Sequence, residues 1–314
     1  MKKNVLASVA IGAVAVLGLA ACSPASDSEA SASASAAAVP TAAEDIAALE
    51  SIEWTETDGV PELAFEPTLS VGDTTVLHVA DGEGDAIEEG QDVVLNYVVY
   101  SGVDGSVIWS TYDSGVPEAV EMSEDYGELY EELVGRNVGT DFLYAFPDTS
   151  TEDLETNIMA VTASAAVTPL ERAEGTAVEP AEGLPTVTLD DTGAPTVDFS
   201  DAGKAPEELV AQTLIEGDGD PISEGDEVWF HYTGQVWKTD EVFDSSWARG
   251  ADAMFTLSAD QLIEGWIEGL EGATVGSQVM VVIPPELGYG DQDDIDAIPA
   301  NSTLVFVVDI LGVA

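Results

Sequence analysis

An internal repeat constrains this chain more tightly than any other feature. "DGEGDAIEEGQDVVLNYVVYSGVDGSVIWSTY" (81–112) lines up with "EGDGDPISEGDEVWFHYTGQVWKTDEVFDSSW" (216–247) at a constant offset of 135 residues, without a gap. Upstream, "GVPELAF" (59–65) echoes "GLPTVTL" (183–189). Downstream, "LVGRNVGTDFLYAFP" (133–147) echoes "LEGATVGSQVMVVIP" (270–284). Two copies of one fold follow, over 59–165 and 183–314. The Pro-, Gly- and Glu-bearing stretch between them, 166–182, reads as a linker. A chain of 314 residues suits two domains of ordinary size.

The segment before the repeat is of another kind. Lys2 and Lys3 precede an apolar run from Val5 to Ala21, which closes on "LAAC" at Cys22, the chain's only cysteine. Small residues directly before a cysteine resemble a bacterial lipoprotein signal, so 1–21 is expected to be removed and Cys22 to carry lipid. The protein is then expected outside the cytoplasm, lipid-anchored at the cell membrane. The Ser/Ala-rich stretch 22–58 reads as a flexible tether, with room for a short helix within 43–54. A lone cysteine makes no internal disulfide, so the folded parts rest on their cores.

Sixty-one acids face seven bases, for a net charge of −54, and loss of 1–21 takes two lysines and no acid, leaving it near −56. Such a surface repels nucleic acid and excludes it as a partner. The acid-rich stretches "DGEGDAIEEG" (81–90) and "DQDDIDAIP" (291–299) lack the Gly and Glu spacing of a calcium loop, and neither a metal nor a cofactor is implied.

In the second copy the pattern is mostly strands. "DEVWFHYTGQVW" alternates, with Val228, Phe230 and Tyr232 on one face and Trp229, His231 and Thr233 on the other. "VMVVIP" points Val279, Val281 and Ile283 inward; "TLVFVVDIL" points Leu304, Phe306, Val308 and Ile310 inward and Asp309 outward. One helix interrupts them. Ser258 and Gln261 fit a capping box, Asp260 suits the helix start, and Leu262, Ile263, Trp266, Ile267 and Leu270 share a side. Gly269 and Gly272 are expected to end it. The fold class is therefore α+β, with each copy an antiparallel sheet wrapped around a short helix. His231 reads as solvated. A Ser245–His231–Asp244 hydrolase site is excluded by strand parity and by the lack of a G-x-S-x-G turn.

"HYTG", "VFDSS", "LIEGWIEGLEG", "VGSQVMVVIP", "LGYG" and "IPANSTLVFVV", in that order over about 100 residues, resemble the FKBP-type peptidyl-prolyl isomerases. The resemblance implies two FKBP-like domains, each a half-barrel around a helix, with a site between helix and sheet. It implies Trp266 as the pocket floor and Tyr232, Phe243 and Phe306 as walls. Leu262 and Ile263 would lie at the helix start, with the Ile263 N–H bonded to substrate. Tyr289 would donate its hydroxyl to a substrate carbonyl, and Ile298 would close one side. Asp244 would sit at the rim, bonded to Tyr232 and paired with Arg249, one of only three arginines. Ala253 and Ala297 stand where relatives carry larger residues, which implies a more open pocket. Partners implied are proline-containing polypeptides and macrolides of the tacrolimus and rapamycin type.

Copy one departs from that pattern. Tyr97 keeps the phenol, but Ile108 and Trp109 replace Phe243 and Asp244, Ser114 replaces Arg249, and Leu129 or Tyr130 replaces Trp266. The loop after Pro147 is too short to carry a counterpart of Tyr289. Copy one is expected to keep the fold and lack the isomerase site. The function implied is an isomerase acting on X–Pro bonds of extracytoplasmic proteins to assist folding, with a polypeptide-binding chaperone or adaptor as the alternative.

Overall fold

The computed structural model describes residues 40–148, 155–239, 241–292 and 297–314. The expected signal, Cys22 and the first part of the expected tether lie outside the described residues, as do 293–296 of the acidic loop.

The described chain opens with helix α1 (Ala42–Leu49) and the hairpin β1 (Glu53–Thr57) and β2 (Val60–Ala64). A first sheet follows from β3 (Thr75–Ala80), β4 (Asp92–Ser101), β5 (Val107–Ser110), the one-turn helix α2 (Thr111–Ser114), β6 (Glu118–Glu121), helix α3 (Glu128–Leu133), β7 (Asp141–Pro147) and β8 (Thr156–Val167). Its strand order is β3-β7-β8-β4-β5, with β6 on β4. The chain continues through β9 (Thr176–Ala177) and a second hairpin, β10 (Thr186–Leu189) and β11 (Pro195–Asp198). Then come β12 (Val210–Glu216), β13 (Glu227–Val236), β14 (Val242–Ser245), the one-turn helix α4 (Ser246–Arg249), β15 (Ala253–Thr256), α5 (Glu264–Leu270), β16 (Gln278–Ile283) and β17 (Leu304–Val313). The second sheet runs β14-β13-β17-β16-β12-β9, with β15 on β13.

The two sheets share one topology, and the repeat extends to backbone irregularities. The β4–β8 ladder slips between Val94 and Leu95, and the β13–β17 ladder slips between Trp229 and Phe230. Val99/Tyr100 and Gly234/Gln235 match in the same way. Each pair is 135 residues apart. A bulge bends its strand and increases the local twist, so the curvature of the half-barrel is written into both copies.

Alternation correctly picks the face of β13, β16 and β17 that meets α5, but the opposite face is buried as well. Met280, Val282, Val305 and Val307 pack beneath the β10–β11 hairpin, against Val187 and Val197. In copy one, α1 and the β1–β2 hairpin cover the equivalent face through Leu49, Trp54 and Leu63. The expected tether therefore gives way to structure well before residue 58. Leu49 is fully buried, and the Asp45 carboxylate accepts hydrogen bonds from the backbone N–H of Gly72 (3.0 Å) and Asp73 (3.4 Å). An amphipathic helix with that many partners is not a tether.

The expected linker is likewise clamped to the second sheet. Leu170 N–H donates to Leu311 O and Glu174 N–H to Gly276 O, both at 2.9 Å, and β9 adds a strand to β12. This corrects the expectation for Asp309. It faces away from α5, as alternation requires, but the linker and Gln278 bury it. It accepts from Ala173 N–H at 2.9 Å and from Gln278 Nε2 at 2.7 Å. Burial pushes its carboxyl up to about 6, against the lowering effect of those two donors and of Arg172. An acid raised above its unfolded pKa of 3.8 stabilises the fold most below pH 4, and that stability is lost as pH rises through about 6. Asp309→Asn should remove this component. In urea unfolding at pH 4 and pH 7.5, the pH dependence of wild type minus variant should amount to about 2 kcal/mol, on the scale of ~1.4 kcal/mol per pKa unit, since the unfolded carboxyl is already partly ionised at pH 4. A difference that does not change with pH would refute it.

The two sheets also touch. Trp229, 1 % exposed, sits with Val94 and Leu311 and donates its indole N–H to Asp92 Oδ2 of copy one at 2.7 Å. Gln261 Nε2 donates to Gly115 O at 3.0 Å. The described residues thus form one compact unit.

Candidate active site

Helix α5 is seven residues long and starts at Glu264 with Ile263 as its N-cap. The expected capping box does not form. Gln261 turns back instead: its Oε1 accepts from Thr256 N–H and its Nε2 donates to Thr256 Oγ1. Ser258–Leu262 is a turn whose N–H groups close on the Ser258 carbonyl. Gly269 lies inside the helix rather than ending it; a Cβ there would come within 2.6 Å of Val281, and one on Gly265 within 2.4 Å of Ile283. These two glycines let α5 lie directly on β16. Gly272, at φ +81°, makes the stop.

That close approach sets Trp266 against the sheet at 3 % exposure. Three rings meet it edge-on: Phe230 at 5.4 Å, Tyr232 at 5.4 Å and Phe306 at 5.2 Å between centroids. Phe243 stands edge-on to Phe306 at 5.5 Å. Offset and edge-to-face pairs of this kind are the favourable aromatic geometries, so the cage is rigid. Leu262, Ile263, Tyr289 and the buried Ile298 pack around it. All the residues expected from the sequence are brought together here. Two further members were not singled out. Phe230 is a wall of the cage as well as a core residue. Gly234 is required because a Cβ would lie 2.7 Å from both the Phe243 and Phe306 rings. Comparing the copies could have found it: Val99 stands at its aligned position, where Ile108 replaces Phe243.

The rim is polar. Tyr232 donates its hydroxyl to Asp244 Oδ2 at 2.7 Å and accepts from Arg249 Nη2 at 2.8 Å. Arg249 Nη1 also donates to Asp244 Oδ1. Burial, then the Asp244 hydrogen bond, pushes the Tyr232 phenol up to about 12, with Arg249 opposing. The second Arg249 bond, to Tyr232, adds to the expected pairing with Asp244 and closes a triangle. The Ser245 side chain caps α4 by accepting from Ala248 N–H, and Gly250 (φ +76°) turns the chain so that Arg249 reaches back. Both ions are about half exposed, so the pair itself is worth at most ~1 kcal/mol of stability. Arg249→Ala should therefore leave the unfolding midpoint almost unchanged while lowering kcat/KM about tenfold, the scale of one charge-assisted hydrogen bond. Equal losses in stability and activity would contradict this.

Two donors beside the cage are unspent. Among the described residues, neither the Ile263 backbone N–H nor the Tyr289 hydroxyl makes a hydrogen bond within the protein. Burial, then the nearby Asp244 charge, raises the Tyr289 phenol, which stays protonated at neutral pH. Among the described residues no group of three or more His, Cys, Asp or Glu is placed to hold a metal ion.

His231 is not solvated as expected. It stacks on Trp247 at 3.9 Å between centroids, its Nδ1 lies 2.9 Å from Ser246 Oγ, and burial lowers its pKa. Ser246 is fully buried and already accepts from Tyr232 N–H, so this contact braces β13 and offers no nucleophile.

In copy one, Ile108 and Trp109 are exposed. The Tyr97 hydroxyl donates instead to Glu118 Oε2 of β6, at 3.0 Å. Leu129 faces the copy-one core from α3, and Met159 holds the register position of Phe306.

Residues 219–311 match the family model described as FKBP-type peptidyl-prolyl cis-trans isomerase. An FK506-binding protein of Streptomyces anulatus is 40 % identical over 120 residues, which span 38 % of this chain and 96 % of that protein. A probable FK506-binding protein of Corynebacterium glutamicum is 42 % identical over 110 residues, 35 % of this chain and 91 % of the relative. The crystal structure of FkpA from Escherichia coli is 36 % identical, covering 40 % of this chain and 51 % of FkpA, with a TM-score of 0.31.

Proposed function

The chain belongs to the FKBP-type peptidyl-prolyl cis-trans isomerases, and from that premise we propose that its second copy, 183–314, is the catalyst and acts on extracytoplasmic polypeptides from a lipid anchor on Cys22. The observation that carries the reading is the Trp266 cage with two unspent donors at its edge.

An X–Pro bond isomerises slowly because twisting it removes amide resonance, against a barrier of ~18–20 kcal/mol. The planar amide carries more charge separation than the twisted one. A dry aromatic pocket disfavours that separation and so binds the twisted form more tightly than either planar isomer. The proline ring packs on the Trp266 indole, between Tyr232, Phe243 and Phe306. The Ile263 N–H and Tyr289 hydroxyl hold flanking carbonyls and fix the chain on either side of the rotating bond. The Asp244–Arg249–Tyr232 triangle keeps one wall in place. No residue forms a covalent bond, and the chemistry needs none. FK506-type macrolides would occupy the same cage.

In this reading copy one is not a catalyst, and the anchor holds the enzyme at the membrane where newly exported chains fold. The test is a proline-isomerisation assay on fractions of cells expressing the full chain. Activity inhibited by tacrolimus should sediment with membranes, and Cys22→Ser should move it to the soluble fraction. Activity absent from both fractions would sink the enzyme reading; activity that stays with membranes in the variant would sink the anchor.

A further inference from the structure

Helix α3 (ELYEEL) carries no glycine, unlike α5, and its principal strand contact is β3 instead of the counterpart of β16. Backed away in this manner, it leaves part of the copy-one sheet uncovered. A cavity of about 160 Å³ lies there, between α3 and strands β7 and β8, walled by Leu129, Phe142, Tyr144 and Met159. It occupies the place that the Trp266 cage occupies in copy two: Met159 holds the register position of Phe306, and Tyr97 that of Tyr232. Tyr126, half exposed, stands at its mouth.

The cavity also holds one charge. Glu118 lines it and accepts the Tyr97 hydroxyl through Oε2. Burial, then that carboxylate, pushes the Tyr97 phenol well above its usual range, so it remains a donor. In copy two the carboxylate beside the buried phenol has its own cation, Arg249. In copy one Ser114 stands at the aligned position, and among the described residues Glu118 has no cationic partner. A half-buried carboxylate facing an apolar hollow gains most from a cation brought by a guest.

We propose that copy one is a second polypeptide-binding site, which takes one large apolar side chain of an extended segment while Glu118 pairs with a lysine or arginine beside it. The volume matches the guest. A cavity of ~150 Å³ with apolar walls accepts a benzene-sized group, hence one Leu or Phe side chain and not a macrolide. Proline is not required, because Leu129 replaces the indole floor and the loop after β7 is short. The net charge of −54 draws basic segments towards the chain at long range, and the Glu118 pocket gives that attraction a fixed address. The site stands or falls independently of catalysis in copy two.

The test uses the full chain and short fluorescent, proline-free peptides containing Phe-Lys or Phe-Glu, read by anisotropy at physiological salt. The Phe-Lys peptide should bind about tenfold more tightly than the Phe-Glu peptide, the scale of a charge-assisted hydrogen bond. Glu118→Gln, which keeps the Tyr97 bond, should shrink that ratio to about twofold or less, the remainder being long-range attraction. Leu129→Trp should fill the cavity and weaken both peptides. Isomerase activity on a short proline peptide should be unchanged in both variants, and a urea unfolding transition retained near that of the wild type reports that copy one folds. Binding that ignores both substitutions, that is displaced by tacrolimus, or that is absent from the wild type would each overturn the proposal.

Discussion

Trp229→Ala should lower the unfolding free energy by about 3–5 kcal/mol, the range for deleting a large buried aromatic. Trp229 is 1 % exposed, and its neighbours come from both copies: Val94, Ala119 and Ala165 from the first, Met254 and Leu311 from the second. The substitution also strips Asp92 of the indole N–H at 2.7 Å. Burial already raises that carboxyl, and the lost donor was opposing the shift, so the variant should suffer more as pH rises. Because the side chain joins two sheets, its removal should also split the urea unfolding curve into two steps, each with a smaller m-value. Trp229→Phe restores most of the area without the donor and should recover most of the stability. An unchanged single transition in Trp229→Ala would show that the copies are not coupled through this contact. The same contact argues for testing activity on the whole chain, since removing copy one would bare Trp229 and Leu311.

The second large effect concerns catalysis. Trp266→Ala should reduce kcat/KM by about 100-fold or more, since even a ~1 Å misplacement of a reacting group can cost that much. It removes the floor on which the proline ring rests and leaves Phe230, Tyr232 and Phe306 without the ring they all meet. It should also destabilise copy two by ~3–5 kcal/mol, so the assay belongs well below the unfolding temperature. Trp266→Phe separates the two effects. It keeps an aromatic floor and most of the packing, and should lose activity only a few-fold. If Trp266→Ala, confirmed folded by its near-ultraviolet dichroism, retained wild-type kcat/KM, the cage would not be the catalytic pocket.

The Asp309 and Arg249 variants probe two kinds of polar group that the sequence presents alike. Arg249 and Asp244 are about half exposed, and their value lies in aiming Tyr232. Asp309 is buried, and its value changes with pH. Residue type does not distinguish them; what covers each of them does.

The sequence by itself determined the repeat and the α+β class, and its resemblance to a known family supplied the expected members of the pocket. Repeat offset and strand alternation are local properties, and the bulges at Val94 and Trp229 are in register because the 135-residue spacing is. Six motifs in order were enough to name every ring around Trp266 except Phe230, whose place on the inward face was legible but whose contact with the indole was not. The start of α5 was misread because Gln261 has two uses, as a capping side chain or as a brace between Thr256 and Gly115, and only the arrived neighbour chooses. Tertiary structure alone decided which surfaces are covered. Periodicity reports that a face is apolar, but a strand buried on both sides loses the contrast on which the signal depends. The β10–β11 hairpin, α1 and the linker close over the outer faces through contacts distant in sequence. That closure buries Asp309 and orders 42–64, and a direct contact between the two sheets joins Trp229 to Asp92. The position of α3 on β3 was equally beyond the sequence, because it is a contact between elements about fifty residues apart along the chain, and the cavity beside Glu118 lies between α3 and the sheet.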